Sequence, residues 1–302
     1  MAKNIKKILI VGGTGFIGYH LAKKCLKHKW SVVSFSKNLP KKKRYLRKVT
    51  YIIGDLFIKK NLKLINQTFD YAVNLGGYVD HKNKIKTFNS HYSGCKNLSD
   101  FLLKKNIKAF VQMGSSAEYG NLKSPQKENF ICNPKSNYGQ AKFFATKHLL
   151  SLYKKKKFPV TILRLYQAYG PRQDINRFIA IVIDACVRNK EFPCSNGKQF
   201  RDFIHVDDVV ESILKSLASK DAKGEIINIG SGRAQKIKDI IDYLVHCIKS
   251  GKPQFGKIKL RKDEILKIYP NISKAKKILR WSPKVKFYKG LIETIRYFQK
   301  NS

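Results

Sequence analysis

The chain has 302 residues, of which 43% are hydrophobic and 12% aromatic, so it can bury a sizeable core and is not a disordered protein. Its formal net charge is +42, but only 11 of its 62 basic residues are Arg, and the Lys residues are spread along the whole chain. Nucleic-acid readers concentrate Arg and aromatic side chains on one face, so this pattern indicates a solvated basic surface and argues against a specific nucleic-acid partner. The charge still favours encounter with anionic substrates.

The six cysteines show no C-x-x-C spacing, which predicts free thiols in a cytoplasmic protein. The apolar run at Ile8–Val11 is too short for a secretion signal. The sequence contains no run of 18 apolar residues, so we predict no membrane span. We expect no metal site, because His, Asp and Glu do not cluster with metal-ligand spacing.

Short apolar runs alternate with helical patterns along most of the chain. The predicted strands are Ile8–Val11, Ser31–Phe35, Val49–Ile53, Tyr71–Leu75, Ala109–Met113, Val160–Leu165 and Ile226–Ile229. Helical patterns such as Phe16–His28 and Ser136–Tyr153 lie between them. Such alternation predicts an α/β fold with a Rossmann-type, doubly wound parallel sheet covered by helices on both faces.

Beyond about residue 170, repeated prolines break the pattern into shorter pieces. We therefore predict a Rossmann domain over residues 1–170, to which residues 200–230 return. Residues 171–199 and 231–302 are predicted to form a smaller α/β C-terminal lobe that binds the substrate.

A glycine-rich loop follows the first predicted strand and opens the first predicted helix. Its spacing is G-x-x-G-x-x-G over residues 12–18. Glycines there allow a tight turn, a close approach of the backbone to a pyrophosphate, and close packing of helix on strand. The N–H groups at the helix N-terminus then face the phosphates. The residues predicted to bind a dinucleotide here are Gly12, Gly15, Phe16, Ile17 and Gly18.

The end of the second predicted strand bears on the choice of cofactor. An NAD enzyme usually places Asp or Glu there to bind the ribose 2′-hydroxyl, whereas this chain has Ser36 followed by Lys37. No acid is present to repel a 2′-phosphate, and the basic residues Lys37, Lys41 and Arg44 are available to hold one, so the sequence favours NADP over NAD. Asp55 and Leu56, after the third strand, are candidates for contacting the adenine, and Asp55 is alternatively a helix cap.

Tyr138 and Lys142 form a Y-x-x-x-K motif on a predicted helix. Positions i and i+4 share one helix face, so the ammonium lies near the phenol and favours its phenolate form. Such a tyrosine can transfer a proton near neutral pH. Ser115 ends an earlier strand, and its hydroxyl is a candidate for holding the substrate oxygen.

Together these motifs resemble the extended short-chain dehydrogenases/reductases of the nucleotide-sugar epimerase/dehydratase family, over nearly the whole chain. The resemblance implies that Ser115, Tyr138 and Lys142 are catalytic and that Tyr138 and Lys142 also contact the cofactor. It further implies that Leu75-Gly76-Gly77 lines the cofactor. Asp80 and His81, which follow, are candidates to reach the substrate, although a polar loop is an equally good interpretation.

The same resemblance implies that Ser116, Gln167 and Arg201 bind a nucleotide-sugar substrate, the last two near its diphosphate. Gln167 stands where this family usually has Asn. A homodimer that pairs through helices within residues 84–103 and 136–153 is also implied.

Three reactions share this scaffold. A 4,6-dehydratase uses an acidic pair directly after the catalytic hydroxyl residue, where this chain has Ser116 and Ala117, with Glu118 one residue late. A 4-epimerase, which retains NAD through its cycle, is permitted by Ser115, Tyr138 and Lys142. A ketoreductase, which uses exchangeable NADPH, agrees better with Ser36 and Lys37 at the end of the second strand. The C-terminal half most resembles CDP-abequose synthase, a 4-keto-6-deoxysugar reductase.

The sequence therefore predicts an NADPH-dependent 4-keto reductase of a nucleotide-activated 6-deoxysugar, in deoxysugar or lipopolysaccharide O-antigen biosynthesis. The alternatives are a 4-epimerase and then a 4,6-dehydratase. A cofactor-sensing or RNA-associated protein fits poorly with the intact catalytic set.

Overall fold

The computed structural model describes residues 5–78, 83–260 and 264–301. The strands are β1 (Lys7–Val11), β2 (Ser31–Ser36), β3 (Val49–Ile53), β4 (Tyr71–Asn74), β5 (Ala109–Ser115), β6 (Val160–Leu165), β7 (Gln167–Tyr169), β8 (Glu191–Pro193), β9 (Phe200–His205), β10 (Ile226–Ile229), β11 (Ala234–Lys236), β12 (Lys252–Gln254) and β13 (Lys267–Ile268).

The helices are α1 (Phe16–Lys27), α2 (Lys59–Leu62), α3 (Lys84–Phe88), α4 (Gly94–Leu103), α5 (Asn137–Lys156), α6 (Phe178–Val187), α7 (Val206–Ala218), α8 (Ile237–Ile248), α9 (Ser273–Leu279) and α10 (Phe287–Lys300). A π-helical turn, Asn89–Ser93, joins α3 to α4, and 3₁₀ turns occupy Lys42–Arg44 and Ser116–Tyr119. Within the described ranges, no helix is both long enough and apolar enough to cross a membrane.

The large sheet has seven parallel strands in the order β10-β6-β5-β4-β1-β2-β3. Strand β1 is flanked by β2 on one side and β4 on the other, so the direction of winding reverses there. In open parallel sheets this reversal creates a crevice at the carboxyl ends of the strands, where ligands bind. The predicted Rossmann-type, doubly wound fold is confirmed.

Successive side chains of β1 point to opposite faces of the large sheet and show how each face is covered. Ile8 and Ile10 belong to a core that also contains buried residues of α1 and α7. Leu9 and Val11 point the other way, into a core shared with α4 and α5. Both faces of the strand are therefore buried under helices, which explains its continuous apolar sequence.

A second, smaller sheet is built around β9, which pairs with β7, β11 and β13. A third core lies among α6, α8 and α10, with Ile183, Ile241 and Leu291 fully buried. Of the stretch 200–230, strand β10 joins the large sheet and β9 belongs to the smaller one. The division into two functional lobes at the boundaries given above stays a prediction.

Candidate active site

The glycine-rich loop makes a tight turn that only glycine accommodates. Gly12 has a φ of +77°, and its N–H donates to Phe35 O at 2.8 Å. A Cβ on Gly12 would lie 2.8 Å from Gly76 N, and one on Gly18 would lie 2.3 Å from Gly12 O. Larger side chains at these two positions would displace backbone, so the loop requires both glycines.

Helix α1 begins directly after this turn, with Gly15 as its N-cap. No side chain caps the helix, and its first turn, which contains Phe16 and Ile17, has no acidic residue. The first N–H groups of a helix have no intrahelical partner and carry the positive end of its dipole. This end of α1 can therefore bind a diphosphate.

The carboxyl end of β2 packs against the glycine loop through Ser36. Ser36 is buried, and its Oγ accepts from Thr14 N at 3.4 Å. Lys37 Nζ forms an ion pair with Asp55 Oδ2 at 2.8 Å. Asp55 Oδ1 also accepts from Phe57 N at 3.0 Å, so this carboxylate caps the turn after β3 as well as holding Lys37.

Two further basic residues that follow β2 are paired elsewhere. Arg44 is almost fully buried, and its Nη2 lies 2.9 Å from Asp174 Oδ2. Lys41 contacts the same carboxylate at 3.4 Å. Of these three basic side chains, only Lys37 directly follows Ser36, and it is held by Asp55 in the turn after β3.

The segment after β4 connects the glycine loop to the tyrosine motif. Gly76 N lies close to Gly12 and donates to Asn74 Oδ1 at 3.1 Å. The buried side chain of Leu56 lies on the other side of Gly76, so Leu56 and Leu75–Gly77 border the same turn. Asp80 and His81 lie outside the described residues.

The His91 ring fills the space between Gly77 and Tyr138. A Cβ on Gly77 would lie 2.1 Å from His91 Cε1, and the His91 and Tyr138 rings meet edge to face at 4.9 Å between centroids. The structure thus brings the segment at Gly77 and the tyrosine of the Y-x-x-x-K motif to the same part of the sheet edge.

Tyr138 and Lys142 lie on α5 with the spacing that the sequence predicted. Lys142 is 5% exposed, and its Nζ donates to Met113 O at 2.7 Å. The same ammonium lies 5.9 Å from the centroid of the Tyr138 ring. Lys142 therefore fixes α5 to β5 and keeps a positive charge beside the half-buried phenol.

Ser115 is the last residue of β5 and is 8% exposed. Its Oγ accepts from Ala117 N at 3.1 Å, which leaves its O–H free to donate to a ligand. Ser116 follows it into the 3₁₀ turn and is half-buried.

Gly139 brings helix α5 against this turn. A Cβ on Gly139 would lie 2.5 Å from Ala117 O, so a larger residue would push the start of α5 away from the serines. Gly139 was not among the predicted site residues, and its only signal in the sequence is a glycine directly after the tyrosine.

Glu118, which stood one residue late for a dehydratase acid, is fully buried. Its carboxylate accepts from Ser115 N, Thr146 Oγ1 and Arg164 Nε. It is engaged inside the protein and does not act as a free acid at the substrate site.

The residues predicted to contact the nucleotide diphosphate lie on the smaller sheet. Arg201 is on β9, and Gln167 is on the neighbouring strand β7 and is exposed. Arg201 forms an ion pair with Glu264 and donates to Phe200 O at 2.8 Å. The ion pair between Arg201 and Glu264 could not be predicted from the sequence, because 63 residues separate the two side chains along the chain.

The structure therefore places three features at the same edge of the large sheet: the glycine loop after β1, Ser115 at the end of β5, and Tyr138 and Lys142 on α5. This arrangement defines the class as Rossmann-type enzymes that have a tyrosine–lysine pair beside the crevice of the large sheet. Residues 8–230 match the family model described as "NAD dependent epimerase/dehydratase family". The chain belongs to this family of nucleotide-sugar enzymes, within the extended short-chain dehydrogenases/reductases, as its motifs predicted.

The chain is similar to named proteins over nearly its whole length. A putative UDP-glucose 4-epimerase of Methanocaldococcus jannaschii is 27% identical over 98% of this chain and 99% of its own length. CDP-abequose synthase of Salmonella muenchen is 26% identical, over 95% of this chain and 96% of its own. The crystal structure of a Thermotoga maritima UDP-glucose 4-epimerase with UDP-glucose is 26% identical and superposes with a TM-score of 0.91, covering 98% of this chain and 99% of that one.

Proposed function

We propose that the chain is an NADPH-dependent 4-keto reductase of a nucleotide-activated 6-deoxysugar. The observation that supports this reaction is the composition of the turn at the end of β5. It offers a hydroxyl donor from Ser115, beside Tyr138 and Lys142, while Ala117 cannot transfer a proton and Glu118 is fully engaged within the protein. A ketone reduction needs only one proton donor, whereas a dehydration needs a further acid for the leaving hydroxyl.

The proposed roles follow from the positions of the side chains. The glycine loop and the N-terminus of α1 bind the diphosphate of the dinucleotide, and Lys142 holds its ribose. When bound, the nicotinamide supplies the hydride that goes to C4 of the sugar. Ser115 donates a hydrogen bond to the C4 oxygen, and Tyr138 donates the proton that converts this oxygen to a hydroxyl. The ammonium of Lys142 stabilises the phenolate that remains on Tyr138.

For the cofactor, we propose NADP, with Ser36 and Lys37 at its 2′-phosphate. Lys37 is 65% exposed, so it can turn from Asp55 towards a phosphate without breaking any buried contact. A strand-end serine offers a hydrogen-bond donor where an acid would repel this phosphate.

For the substrate, we propose that Arg201 and Gln167 bind the diphosphate of the nucleotide sugar and that Ser116 lies beside the sugar. Arg201 is 15% exposed and is already oriented by Glu264 and by Phe200 O. A guanidinium held in this way binds phosphate oxygens with little loss of conformational entropy.

A 4-epimerase is the second candidate, supported by the names of the M. jannaschii relative and the T. maritima structure. The same Ser115, Tyr138 and Lys142 suffice for it, provided that NAD stays bound through the cycle. The state of the cofactor therefore discriminates between the two reactions.

We also propose a homodimer that pairs through α3 and α5. Ile85, Phe88 and Phe144 on these helices are exposed apolar side chains, with Ile85 72% exposed. Monomers rarely leave such a face in water. Sedimentation should report a dimer for the wild type and a monomer for Phe144→Lys, and a wild-type monomer would refute this assembly.

The reaction is tested with a panel of nucleotide sugars. We expect the purified protein to oxidise NADPH when given a 4-keto-6-deoxysugar linked to CDP, dTDP or GDP. If none of these substrates causes the absorbance of NADPH to fall, the reductase is refuted. Tightly bound NAD in the purified protein, with interconversion of 4-epimers, would instead establish the epimerase.

A further inference from the structure

The carboxylate of Glu118 touches three elements that meet behind the proposed active site. Its Oε1 accepts from Ser115 N at 2.8 Å, at the end of β5. Its Oε2 accepts from Thr146 Oγ1 of α5 at 2.9 Å and from Arg164 Nε of β6 at 3.0 Å. Glu118 is 0% exposed and Arg164 is 2% exposed, so water does not compete for these contacts.

Stability alone does not account for this arrangement. Burying a carboxylate and a guanidinium is costly, and apolar side chains of similar volume in their place are often neutral or stabilising. What a charged pair provides and an apolar pair does not is a fixed direction for each hydrogen bond.

The contact with the Ser115 N–H holds the backbone from which the Ser115 side chain projects. Ser115 Oγ accepts from Ala117 N while Glu118 accepts from Ser115 N, so the two residues cap each other across one turn. The carboxylate lies so close to the preceding residue that a Cβ on Gly114 would be 2.6 Å from Glu118 Oε1. The Ser115 hydroxyl is thereby held in one place at the end of β5.

The contact with Thr146 fixes helix α5. Thr146 lies one helical turn after Lys142, which itself lies one turn after Tyr138, so all three occupy one side of the helix. Lys142 already binds Met113 O of β5, and Thr146 adds a second connection through Glu118. Two connections a turn apart prevent α5 from sliding or rotating on β5.

We propose that Glu118 is a positioning residue, which sets the distance between the Ser115 hydroxyl and the Tyr138 phenol. The proposal rests on the proposed function only in requiring that both groups act on one substrate oxygen. It does not depend on which nucleotide sugar is converted. Misplacement of catalytic groups by about 1 Å can cost on the order of 10²-fold in rate.

The main test is the double variant Glu118→Leu with Arg164→Met, which removes both charges and keeps the buried volume. Removing one partner alone would leave an unpaired buried charge and would destabilise the fold. We expect the double variant to fold, to keep its KM for the nucleotide sugar, and to lose about 10²-fold in kcat.

Asp208→Asn is the matched control, since Asp208 is also a buried carboxylate that accepts from two backbone groups, Lys284 N and Val285 N. It lies on α7 and accepts from the segment before α10, not from the turn at Ser115, so we expect the kcat of this variant to stay near the wild-type value. A kcat loss in the double variant no larger than in this control would overturn the proposal, as would a loss that appears in KM.

Two single variants test the same geometry without touching a charge. Thr146→Val removes only the connection to α5, and we expect a smaller loss of kcat than in the double variant. Gly114→Ala places a methyl group against the carboxylate, and we expect a loss comparable to that of the double variant. Full activity in both would contradict the positioning role.

If no nucleotide sugar of the panel is converted, the proposed function is refuted, but the positioning role of Glu118 is not. Hydrogen exchange tests that role without turnover. We expect the Ser115 amide to exchange slowly in the wild type and at least tenfold faster in the double variant, while residues 109–113 stay unchanged. An unchanged Ser115 amide would show that Glu118 does not hold this turn.

Discussion

Lowering the pH should destabilise the protein through one histidine, His20, whose side chain is only 13% exposed. His20 lies on α1 next to the glycine loop, and one ring nitrogen lies 2.9 Å from Pro171 O. Burial lowers the pKa of His20 from 6.5 to about 4, against smaller opposing effects of Pro171 and Asp207. The unfolded chain therefore takes up a proton at His20 below pH 6.5, whereas the folded chain does not do so until about pH 4.

The free energy of unfolding should consequently fall as the pH drops through this window. For these two pKa values, linkage gives a loss of about 2 kcal/mol between pH 7.5 and pH 5 from His20 alone. Other groups also titrate, since burial raises the pKa of Asp202 to about 6, which acts in the opposite direction. Their contributions cancel when the wild type is compared with His20→Gln, whose amide can still donate to Pro171 O.

The assay is urea unfolding of both proteins at the two pH values. We expect the wild type to lose about 2 kcal/mol more than His20→Gln on acidification. His28→Gln, at an exposed position just after α1, should behave like the wild type. An equal pH dependence in the wild type and His20→Gln would refute the reasoning.

Three further substitutions test the proposed ligand contacts. Gly18→Val should abolish dinucleotide binding, because its Cβ would lie 2.3 Å from Gly12 O; isothermal titration with NADPH measures this. Arg201→Met should raise the KM for the nucleotide sugar by at least about tenfold without changing NADPH affinity, since it removes the guanidinium that we propose binds the diphosphate. Lys37→Met should weaken NADPH by about tenfold relative to NADH, as expected for one contact with a 2′-phosphate.

The two charged positions, Arg201 and Lys37, each have a surface counterpart that should have no effect. Arg188, an exposed arginine paired with Asp184, is the control for Arg201, and Lys41 is the control for Lys37. Equal changes in test and control variants would mean that general surface charge, and not a specific contact, governs ligand binding. Normal NADPH binding by Gly18→Val would contradict the assignment of the glycine loop.

The large sheet could be predicted from the sequence because its strands are buried on both faces and read as continuous apolar runs. Each of the seven predicted strands overlaps an observed one, and β3, β6 and β10 have the predicted bounds. A smaller α/β lobe was predicted, but the strands of the smaller sheet were not located, because strands such as β11 and β13 have two or three residues and mixed polarity. Their pairing depends on partners far along the chain, which local patterns do not reveal.

The site residues nearest the sheet edge were recognisable because their motifs are local. The spacing of Tyr138 and Lys142, and the glycine turn, are visible within a few residues. Two contacts are not local: Glu118 acquires its position from Arg164, 46 residues later, and Arg201 is oriented by Glu264, 63 residues later. A sequence pattern gives no information on such pairings unless the fold is known.

The preference for NADP was inferred from Ser36, which stands where an acid is usual, and from the basic residues that follow it. In the structure, Lys37 pairs with Asp55, and Arg44 pairs with Asp174. Lys37 remains exposed enough to contact a phosphate, whereas Arg44 is buried and its charge is already satisfied. The cofactor preference therefore stays a prediction that depends on Lys37.

The most direct test of the proposed chemistry follows a labelled hydride. NADPH carrying deuterium at the transferable position is mixed with a 4-keto-6-deoxysugar nucleotide, and the product sugar is examined by mass spectrometry and NMR. We predict deuterium at C4 with the wild type and none with Tyr138→Phe, although that variant still binds NADPH. Deuterium at C4 at an undiminished rate in Tyr138→Phe, or an unlabelled product from the wild type, would contradict the role given to this tyrosine and its lysine.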